Sequence, residues 1–372
     1  MAIDKVTSAA LETSTNQPNF RNIIINGDMS LAQRATSVTS ISSGNTIHTC
    51  DRWKTYASSA GTWTQTQEAL TTGDPYTNGF ATSLKLDCTT ANGSLSSGSY
   101  LIVAQSIEAQ NLQYIKKGTS NAEQLTASFW VKSTKTGTNI VQFVSLDDTV
   151  RICAKSYTIS SSDTWEKKTI TIPADTSSTG NISNDNGEGL RMIFWVVAGT
   201  DYTSGALATT WADSANANRA VGQVNNADST SNNFEITGVQ LEVGTAASDF
   251  EFLPYDVNLE RCQRYYQLWT EGNNKEVDTA FHYTSSSIRW VSSFYKQMRT
   301  LPSLVTVSGT DYYGFYSNST FDTFNDFGGI NDTSTNQNFQ VYISSGVSGT
   351  AGHAGMLRTN NASASIAFSA EL

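Results

Sequence analysis

The sequence predicts an all-β fold, in which a jelly-roll β-sandwich is followed by a short helix and a second β-sandwich-like domain. Three observations predict it. Short apolar or alternating segments recur between turn-forming residues, as they do in antiparallel sheets. Charged residues make up only 15% of the chain, against roughly a quarter in an average protein. Strand patterns do not alternate with long helical patterns, which argues against a parallel α/β sheet.

The length of the chain indicates its domain organisation. At 372 residues it is long enough for two or three domains, each with a core of its own. Residues 1–19 are too polar to bury a face, so we expect an N-terminal arm that attaches the protein to a larger assembly, with a disordered tail as the alternative. We then expect a jelly roll over residues 20–253, a linker helix over 254–270 and a C-terminal β domain over 271–372.

The first domain opens with Ile23, Ile24 and Ile25, whose β-branched side chains predict a strand, and the Asn26-Gly27 pair predicts a turn after it. Further strands are predicted at residues 51–56, 61–66, 83–87, 100–107, 125–132, 140–146, 155–159, 165–172 and 190–197, with one helical turn at 111–115. This count suffices for the two sheets of a jelly roll. Four tryptophans are expected to pack into that sandwich or plug its ends: Trp53, Trp130, Trp165 and Trp195.

The stretch over residues 233–269 is predicted to close the first domain. Residues 234–241 place apolar side chains on both faces of a strand, so both of its sides should be partly covered. Pro254 bars the continuation of a central strand, and Asp256 is able to cap a helix after it. The apolar residues of that helix recur at i, i+3 and i+7: Leu259, Cys262 and Tyr266.

The second domain alternates again, with strands predicted at residues 281–283, 288–291, 294–298 and 303–307. A closing strand at 364–370 suits a sheet edge that pairs across subunits. The stretch from Tyr312 to Phe327 holds more aromatic rings than its short strands can bury, which predicts contact with another surface, a subunit interface or an exposed receptor patch. The predicted interface residues are Leu259, Cys262, Tyr266, Tyr312, Tyr313, Phe315 and Tyr316.

Charge and cysteine usage exclude several classes of partner. A formal net charge of −10 argues against nucleic acid and against an anionic membrane surface, because both require clustered Lys and Arg. No run of 18 or more apolar residues occurs and the first residues do not resemble a signal peptide, so we expect no membrane insertion and synthesis in a cytoplasm. The four cysteines are too dispersed for a zinc site and are expected to be free and buried.

Four segments carry a resemblance to known proteins. Residues 234–244, with Phe250 and residues 264–266, are similar to a signature of bacteriophage tail-fibre and virion proteins. Residues 22–29 and 128–132 resemble strands of carbohydrate-binding-module jelly rolls, and residues 298–304 resemble a strand entry of fibre tip domains. The resemblance implies a tail fibre in the virion that binds host cell-surface glycan, forms a homotrimer and contacts other virion or tail proteins through its N-terminal arm. A virion decoration or connector protein without glycan binding is the alternative.

Glycan contacts are expected in the loop between residues 199 and 226, where aromatic and amide side chains occur together without an evident packing demand. The candidates are Tyr202, Trp211, Asp213, Asn216, Asn218 and Arg219. In the alternative interpretation, Trp211 anchors a solvated loop to the sandwich.

No catalytic or metal-binding pattern occurs. The three histidines lie in unrelated segments, and the HExxH, GxSxG and P-loop motifs are absent. The acidic turn at residues 184–188 lacks the spacing of an EF-hand loop. We therefore predict no enzyme activity, no cofactor and no metal ion.

Overall fold

A computed structural model describes residues 20–372. The chain divides into two compact units, Met1–Leu253 and Pro254–Leu372, and the predicted arm over residues 1–19 lies outside the described residues. Both units consist of antiparallel sheets with a few short helices. The prediction of an all-β fold is confirmed.

The first unit contains eleven strands in one curled antiparallel sheet, ordered β10-β7-β6-β9-β4-β2-β3-β11-β5-β8 with β1 paired to β2. The strands are β1 (Ser37–Thr46), β2 (Lys54–Ala69), β3 (Thr82–Thr90), β4 (Tyr100–Glu108), β5 (Leu125–Ser133), β6 (Gly137–Ser145), β7 (Arg151–Ile159), β8 (Glu166–Ile172), β9 (Glu188–Ala198), β10 (Ala212–Asp213) and β11 (Asn233–Val243). The helices are α1 (Asp74–Thr77) and α2 (Thr200–Thr203), with 3₁₀ turns at Ala109–Ile115 and Asn216–Asn218.

Strand β2 joins the two layers of the sandwich. Its first part pairs with β4, with Tyr56 opposite Ile102, and its second part pairs with β3, with Thr66 opposite Lys85. Between the two parts, Gly61 has a φ of 80°, which a side chain at that position would strain. The sequence predicted two separate strands here, whereas the structure has one bent strand.

Aromatic rings from both layers meet in the core of the first unit. Phe129 of β5 contacts Phe194 of β9 edge-on with ring centroids 4.9 Å apart, and it contacts Tyr157 of β7 at 5.2 Å. Trp53 is fully buried beside Phe194, and its indole donates to the carbonyl of Asn26 at 3.0 Å. Since these strands are not all neighbours in the hydrogen-bonded order, the sheet folds back on itself to bury this layer of rings.

The prediction of a strand at Ile23–Ile25 is wrong. These residues form bends, and Asn26 and Met29 have positive φ angles. The reason lies in two asparagine side chains that satisfy local backbone groups. Asn22 Oδ1 accepts from the Ile24 amide at 3.0 Å, and Asn26 bonds both the amide and the carbonyl of Leu31 across the turn that follows. Such local bonds compete with a sheet ladder.

The second unit is a smaller sandwich. It contains α3 (Tyr255–Gln263), β12 (Tyr266–Glu271), β13 (Glu276–Thr284), β14 (Ser287–Ser293), β15 (Ser303–Val307), β16 (Tyr313–Ser317), β17 (Thr320–Phe324), β18 (Gly329–Ile330), β19 (Asn338–Ile343), β20 (Ala354–Thr359) and β21 (Ser365–Ser369). A three-stranded sheet, β12-β21-β15, packs against a seven-stranded sheet, β17-β16-β20-β13-β14-β19-β18. Phe368 of the first contacts Phe339 of the second at 4.5 Å between ring centroids.

Three expectations for this unit need correction. The helix begins after Pro254 and ends at Gln263, so Tyr266 and the residues after it form a strand instead of extending the linker helix. Asp256 lies inside the first helical turn and is not its cap. The closing strand β21 pairs with β12 on one side and β15 on the other, so it is not a sheet edge available to another subunit.

Candidate functional site

The outer face of β2, β4, β9 and β6, turned away from the core, carries the first candidate site. Tyr56 lies opposite Ile102, which in turn lies opposite Trp195 on β9. One row along, Tyr100 of β4 lies opposite Ser58 and Ala198. Alternation places Tyr56, Tyr100 and Ile102 on the face opposite the core. The β4–β9 register shifts between Leu101 and Ile102, and this irregularity brings Trp195 and Ala198, three positions apart, to the same face.

A loop over residues 199–220 lies across this face. Helix α2 presents the ring of Tyr202, which contacts Tyr100 edge-on at 5.8 Å and Trp195 at 5.2 Å between centroids. A backbone bond holds the loop to the sheet, since the Ala154 amide donates to the carbonyl of Ala208 at 2.7 Å. A second bond closes the loop on itself, from the Ala220 amide to the carbonyl of Tyr202 at 2.9 Å. Trp195 is covered by this arrangement and is only 1% exposed.

Three half-buried rings remain accessible around the covered tryptophan: Tyr56, Tyr100 and Tyr202. We refer to these residues as the tyrosine face. Burial raises the pKa of Tyr202, and so does its interaction with Tyr100. Burial also raises the pKa of Tyr56, so the phenols of Tyr56 and Tyr202 are neutral in ordinary buffers and are able to donate and accept hydrogen bonds.

Three cations surround the tyrosine face. Lys54 Nζ lies 5.3 Å and Arg191 Cζ lies 5.4 Å from the Tyr56 ring centroid. Arg191 is also held by Glu188 through two hydrogen bonds of 2.7 and 2.5 Å. Arg219 lies 5.4 Å from Trp195 and 5.9 Å from Tyr202.

Arg219 differs from Arg191 in having no carboxylate partner within residues 20–372. Its Nε donates to Gln142 Oε1 at 3.3 Å, the same oxygen that accepts from the Trp195 indole at 3.1 Å. Burial lowers the pKa of Arg219, and the neighbouring Tyr202 opposes that shift. A partly buried guanidinium without a counter-charge is an unfavourable arrangement that a bound anion would relieve.

Two predicted glycan contacts, Trp211 and Asp213, lie elsewhere, near the ends of β7 and β10. The Trp211 indole donates to the carbonyl of Pro173 at 2.9 Å, and Lys117 Nζ lies 4.4 Å from the ring centroid. Asp213 is exposed and pairs with Arg151 at 2.8 Å. This geometry is that of a loop anchor with one ring face occupied by a lysine.

The remaining predicted contacts are amides of the same loop. Asn216 is exposed in the 3₁₀ turn. Asn218 Oδ1 accepts from the Ala206 amide at 3.0 Å and so holds the two sides of the loop together. The structure thus brings Tyr202 and Arg219 together on the tyrosine face and places the other four predicted residues outside it, and glycan contact by any of the six stays a prediction.

The predicted interface residues divide between the core and the surface of the second unit. Tyr313 and Phe315 are buried in its core, and the Tyr313 hydroxyl donates to the carbonyls of Val307 and Ser365 at 2.8 Å. Cys262 and Tyr266 are also buried, Leu259 and Tyr312 are half-buried, and Tyr316 is exposed. The expectation that these rings lack partners within the chain is therefore corrected for Tyr313 and Phe315, and subunit contact stays a prediction.

Sequence reasoning missed Tyr56 and Tyr100 as site residues. Both belong to segments predicted as strands, but no local pattern shows that β2 and β4 are neighbours. The alternation of each strand does show which residues share a face: Tyr56 with Lys54, and Tyr100 with Ile102 and Ala104. Alternation alone does not show which face is covered by a loop.

Within residues 20–372, no group of three or more His, Cys, Asp or Glu side chains is arranged to hold a metal ion. None of the helices described in that range has the length and apolar character needed to cross a membrane.

Comparisons with known proteins find likenesses in structure alone. No protein-family model matches this chain, and no curated protein matches it. Solved structures similar to it include a phage tailspike domain and several carbohydrate-binding modules.

Three of these structures give the extent of the likeness. The enzymatically active domain of bacteriophage CBA120 tailspike protein 4 is 12% identical, with a TM-score of 0.31 over 60% of this chain, and the match spans only 22% of the tailspike chain. A putative sugar-binding protein from Bacteroides thetaiotaomicron is 12% identical, with a TM-score of 0.28 over 60% of this chain and 100% of its own. A family 11 carbohydrate-binding module from Clostridium thermocellum, in complex with a β-1,3-1,4-mixed-linked tetrasaccharide, is 12% identical, with a TM-score of 0.26 over 57% of this chain and 99% of its own. At identities and TM-scores this low, none of the three shows what this chain binds.

Proposed function

We propose that the first unit binds a glycan at the tyrosine face and that this binding attaches the protein to a cell surface. One observation carries the proposal: three half-buried tyrosine rings converge on one face of the sheet with an arginine that has no carboxylate partner among residues 20–372. Sugars are bound by rings that cover their apolar C–H faces and by polar groups that reach their hydroxyls. The tyrosine face offers both.

The burial of each residue decides whether it would contact the glycan or support a residue that does. Trp195 is too deeply covered to touch a ligand, so it supports the ring of Tyr202 and holds Gln142 by its indole N–H. Tyr56, Tyr100 and Tyr202 are each only half-buried and would contact the saccharide directly. The loop over residues 199–220 fixes Tyr202 in place through backbone bonds, so little side-chain freedom is lost on binding.

The charge around the site favours an acidic substituent on the glycan. Of the two arginines, Arg191 is neutralised by Glu188 and Arg219 is not. A carboxylate or phosphate on the sugar would supply the missing partner and form charge-assisted hydrogen bonds, which are the stronger kind. This local positive charge lies in a chain whose formal net charge is −10, so it is not a by-product of overall composition.

In this proposal the protein is a structural virion protein, a tail fibre that acts in host attachment, without enzyme activity. The N-terminal arm would join it to other virion or tail proteins, and the chain would assemble as a homotrimer. The competing proposal is a decoration or connector protein, in which the tyrosine face contacts no glycan.

The test is binding of purified protein to an array of bacterial surface glycans, followed by titration of the strongest ligand. Tyr100→Ala and Tyr202→Ala should each weaken binding roughly fivefold or more, since a stacked ring contributes about 1 kcal/mol. Arg219→Gln should weaken acidic glycans more than neutral ones. Tyr76→Ala is the matched control, because Tyr76 is an exposed tyrosine of the same unit outside the tyrosine face.

Trp211→Ala separates the two interpretations of the loop. If Trp211 is an anchor, the variant should lose thermal stability and retain its affinity in the folded state. Absence of any glycan binding by the wild-type protein, or unchanged affinity in both tyrosine variants, would refute the proposal and favour the connector.

A further inference from the structure

The other layer of the first unit has a groove on its own outer face, of about 470 Å³. This volume is within the range of ligand pockets, roughly 300–1,000 Å³. The floor is a row of side chains across three neighbouring strands, because Glu235 of β11 lies opposite Lys85 of β3 on one side and opposite Lys132 of β5 on the other. Trp165 stands at one end of the row, just before β8, and residues 71–74 line the groove beside it, with Gly73 against the edge of the Trp165 ring.

A buried carboxylate faces this groove with an unused acceptor. Glu235 is 1% exposed, and its Oε1 accepts from the Ser83 hydroxyl at 2.6 Å. Its Oε2 lies 3.0 Å from Lys132 Nζ, but the contact lacks hydrogen-bond geometry, so among the described residues no donor is aligned with that oxygen. Buried carboxylate oxygens normally have such a donor.

Trp165 gives the groove an aromatic wall. The sequence predicted that it plugs the end of the sandwich, whereas the structure leaves it half-buried at the groove. Lys132 Nζ lies 5.3 Å from its ring centroid and 3.7 Å from Asp163 Oδ1. The ring and the Lys85–Glu235–Lys132 row therefore form one continuous lining.

We infer that this groove is a second saccharide site and that it takes an uncharged sugar. Each lysine already has a carboxylate beside it, Asp87 at 3.1 Å from Lys85 and Glu235 at 3.0 Å from Lys132. Further carboxylates of the lining, Glu68, Asp74 and Asp163, leave the groove with excess negative charge, which repels an anionic ligand. A cationic ligand would compete with the Lys132 ammonium for the Trp165 ring.

Sugar hydroxyls fit this pattern because each of them both donates and accepts. Glu235 Oε2 is covered, with Lys132 Nζ 3.0 Å away, so one hydroxyl donates to it after the lysine side chain moves aside. Neighbouring hydroxyls accept from the ammonium groups of Lys85 and Lys132. Trp165 covers an apolar face of the sugar ring. The inference does not depend on the tyrosine face, which lies on the opposite outer surface of the sandwich. Two sites on opposite faces would let one chain hold two segments of a glycan and gain avidity without new contacts.

The experiment uses the full chain carrying both Tyr100→Ala and Tyr202→Ala, which removes binding at the tyrosine face. We call this double variant the silenced chain. The probes are neutral gluco-, xylo-, manno- and galacto-oligosaccharides, screened by saturation-transfer NMR and titrated by calorimetry. We expect at least one of them to bind. Adding Trp165→Ala should weaken that binding at least roughly fivefold, the loss expected for a stacked ring.

Thr72→Arg provides a test that leaves the core intact, since Thr72 is an exposed residue of the groove wall. The long side chain should obstruct the groove and reduce binding to a similar extent. Thr176→Arg is the matched control at an exposed threonine outside the lining, and it should bind as the parent does.

Two results would overturn the inference: no neutral oligosaccharide binds the silenced chain, or Thr72→Arg binds as tightly as its parent. These failures are separate from failure of the tyrosine face. If acidic glycans bind the wild-type chain but not the double variant, and no neutral sugar binds the double variant, the proposed function stands and the groove inference is refuted. If neutral sugars bind the wild-type chain and the double variant equally, and no acidic glycan binds the wild-type chain more tightly than the double variant, the groove inference stands and the tyrosine-face proposal is refuted.

Discussion

Replacement of Asp175 by asparagine tests the ion-pair cluster that anchors the loop ends of the first unit. The Asp175 carboxylate accepts from Arg151 Nε at 2.9 Å and Nη2 at 3.2 Å, and from Lys117 Nζ at 2.6 Å. The side chains of Asp175, Lys117 and Arg151 are 2%, 4% and 10% exposed. Asp175→Asn keeps the shape of the side chain and removes a buried negative charge that these two cations share.

The expected loss of unfolding free energy is about 3–5 kcal/mol, because removing one partner of a buried pair leaves uncompensated buried charge. For a unit of this size, each kcal/mol lowers Tm by roughly 2–4 °C, so a fall of about 6–20 °C is expected. Asp213→Asn is the matched control. Asp213 pairs with the same Arg151, but its side chain is 74% exposed, so its removal should change stability by only about 0–1 kcal/mol.

The same ion-pair cluster makes the stability of the first unit depend on pH. Burial would raise the pKa of Asp175, but hydrogen bonds from Arg151 and Lys117 outweigh it and hold the pKa below its ordinary value of 3.8. A depressed pKa contributes stability that is fully present above the unfolded-state pKa and is lost as pH falls through the folded-state value. The difference in Tm between wild type and Asp175→Asn should therefore be constant near neutrality and shrink below about pH 4.

The assay is thermal unfolding of the two variants and wild type, followed by circular dichroism between pH 3 and pH 8 at equal protein concentration. A loss in Asp175→Asn no larger than that in Asp213→Asn would refute the reasoning. So would a difference in Tm that grows as the pH falls.

Three further predictions concern the cores and the thiols. Trp290 is fully buried among rings of the second unit, so Trp290→Ala should cost about 3–5 kcal/mol in denaturant unfolding, and a loss below 1 kcal/mol would contradict the described packing. Gly238 has a φ of 61°, and a Cβ there would lie 2.7 Å from the Phe80 ring; Gly238→Ala should therefore lower Tm, and an unchanged or raised Tm would exclude the clash. Burial raises the pKa of Cys50 to about 12 and that of Cys153 to about 11, so a thiol reagent at pH 8 should label either one only after denaturation, and rapid labelling of the native protein would show that they are accessible.

Local patterns in the sequence predicted most strands of the first unit. Residues 100–107, 125–132 and 190–197 alternate or run apolar, and each corresponds to a strand of the structure. Strand β1 was missed because its residues are almost all polar and exposed, so no buried face marks it in the sequence. The supposed strand at Ile23–Ile25 had the right composition, but the side chains of Asn22 and Gln105 bond the backbone of Ile24 and Ile25 in place of a neighbouring strand.

The candidate sites could be predicted only in part, because both depend on which strands are neighbours. Tyr202 and Arg219 stand out in a loop, yet their partner Tyr100 lies about a hundred residues earlier in the chain. The Lys85–Glu235 contact joins strands that are still further apart in sequence. Burial of rings is equally non-local: Tyr313 and Phe315 looked unpartnered in a short segment and are enclosed by strands that come later.

The segment after Phe20 has a consequence for how the first unit folds. The Ile23 amide donates to the carbonyl of Leu241 at 2.8 Å, and Asn22 Oδ1 accepts from the Leu241 amide at 3.1 Å, across 219 positions of sequence. Closing a loop of that length loses on the order of 5 kcal/mol of chain entropy before any contact compensates for it. Folding should therefore be slow, as in other proteins dominated by distant pairings. During synthesis the ribosome must release strand β11 before the start of the unit finds its partner. Until then the edges of β3 and β5, between which β11 lies, stay open to other chains.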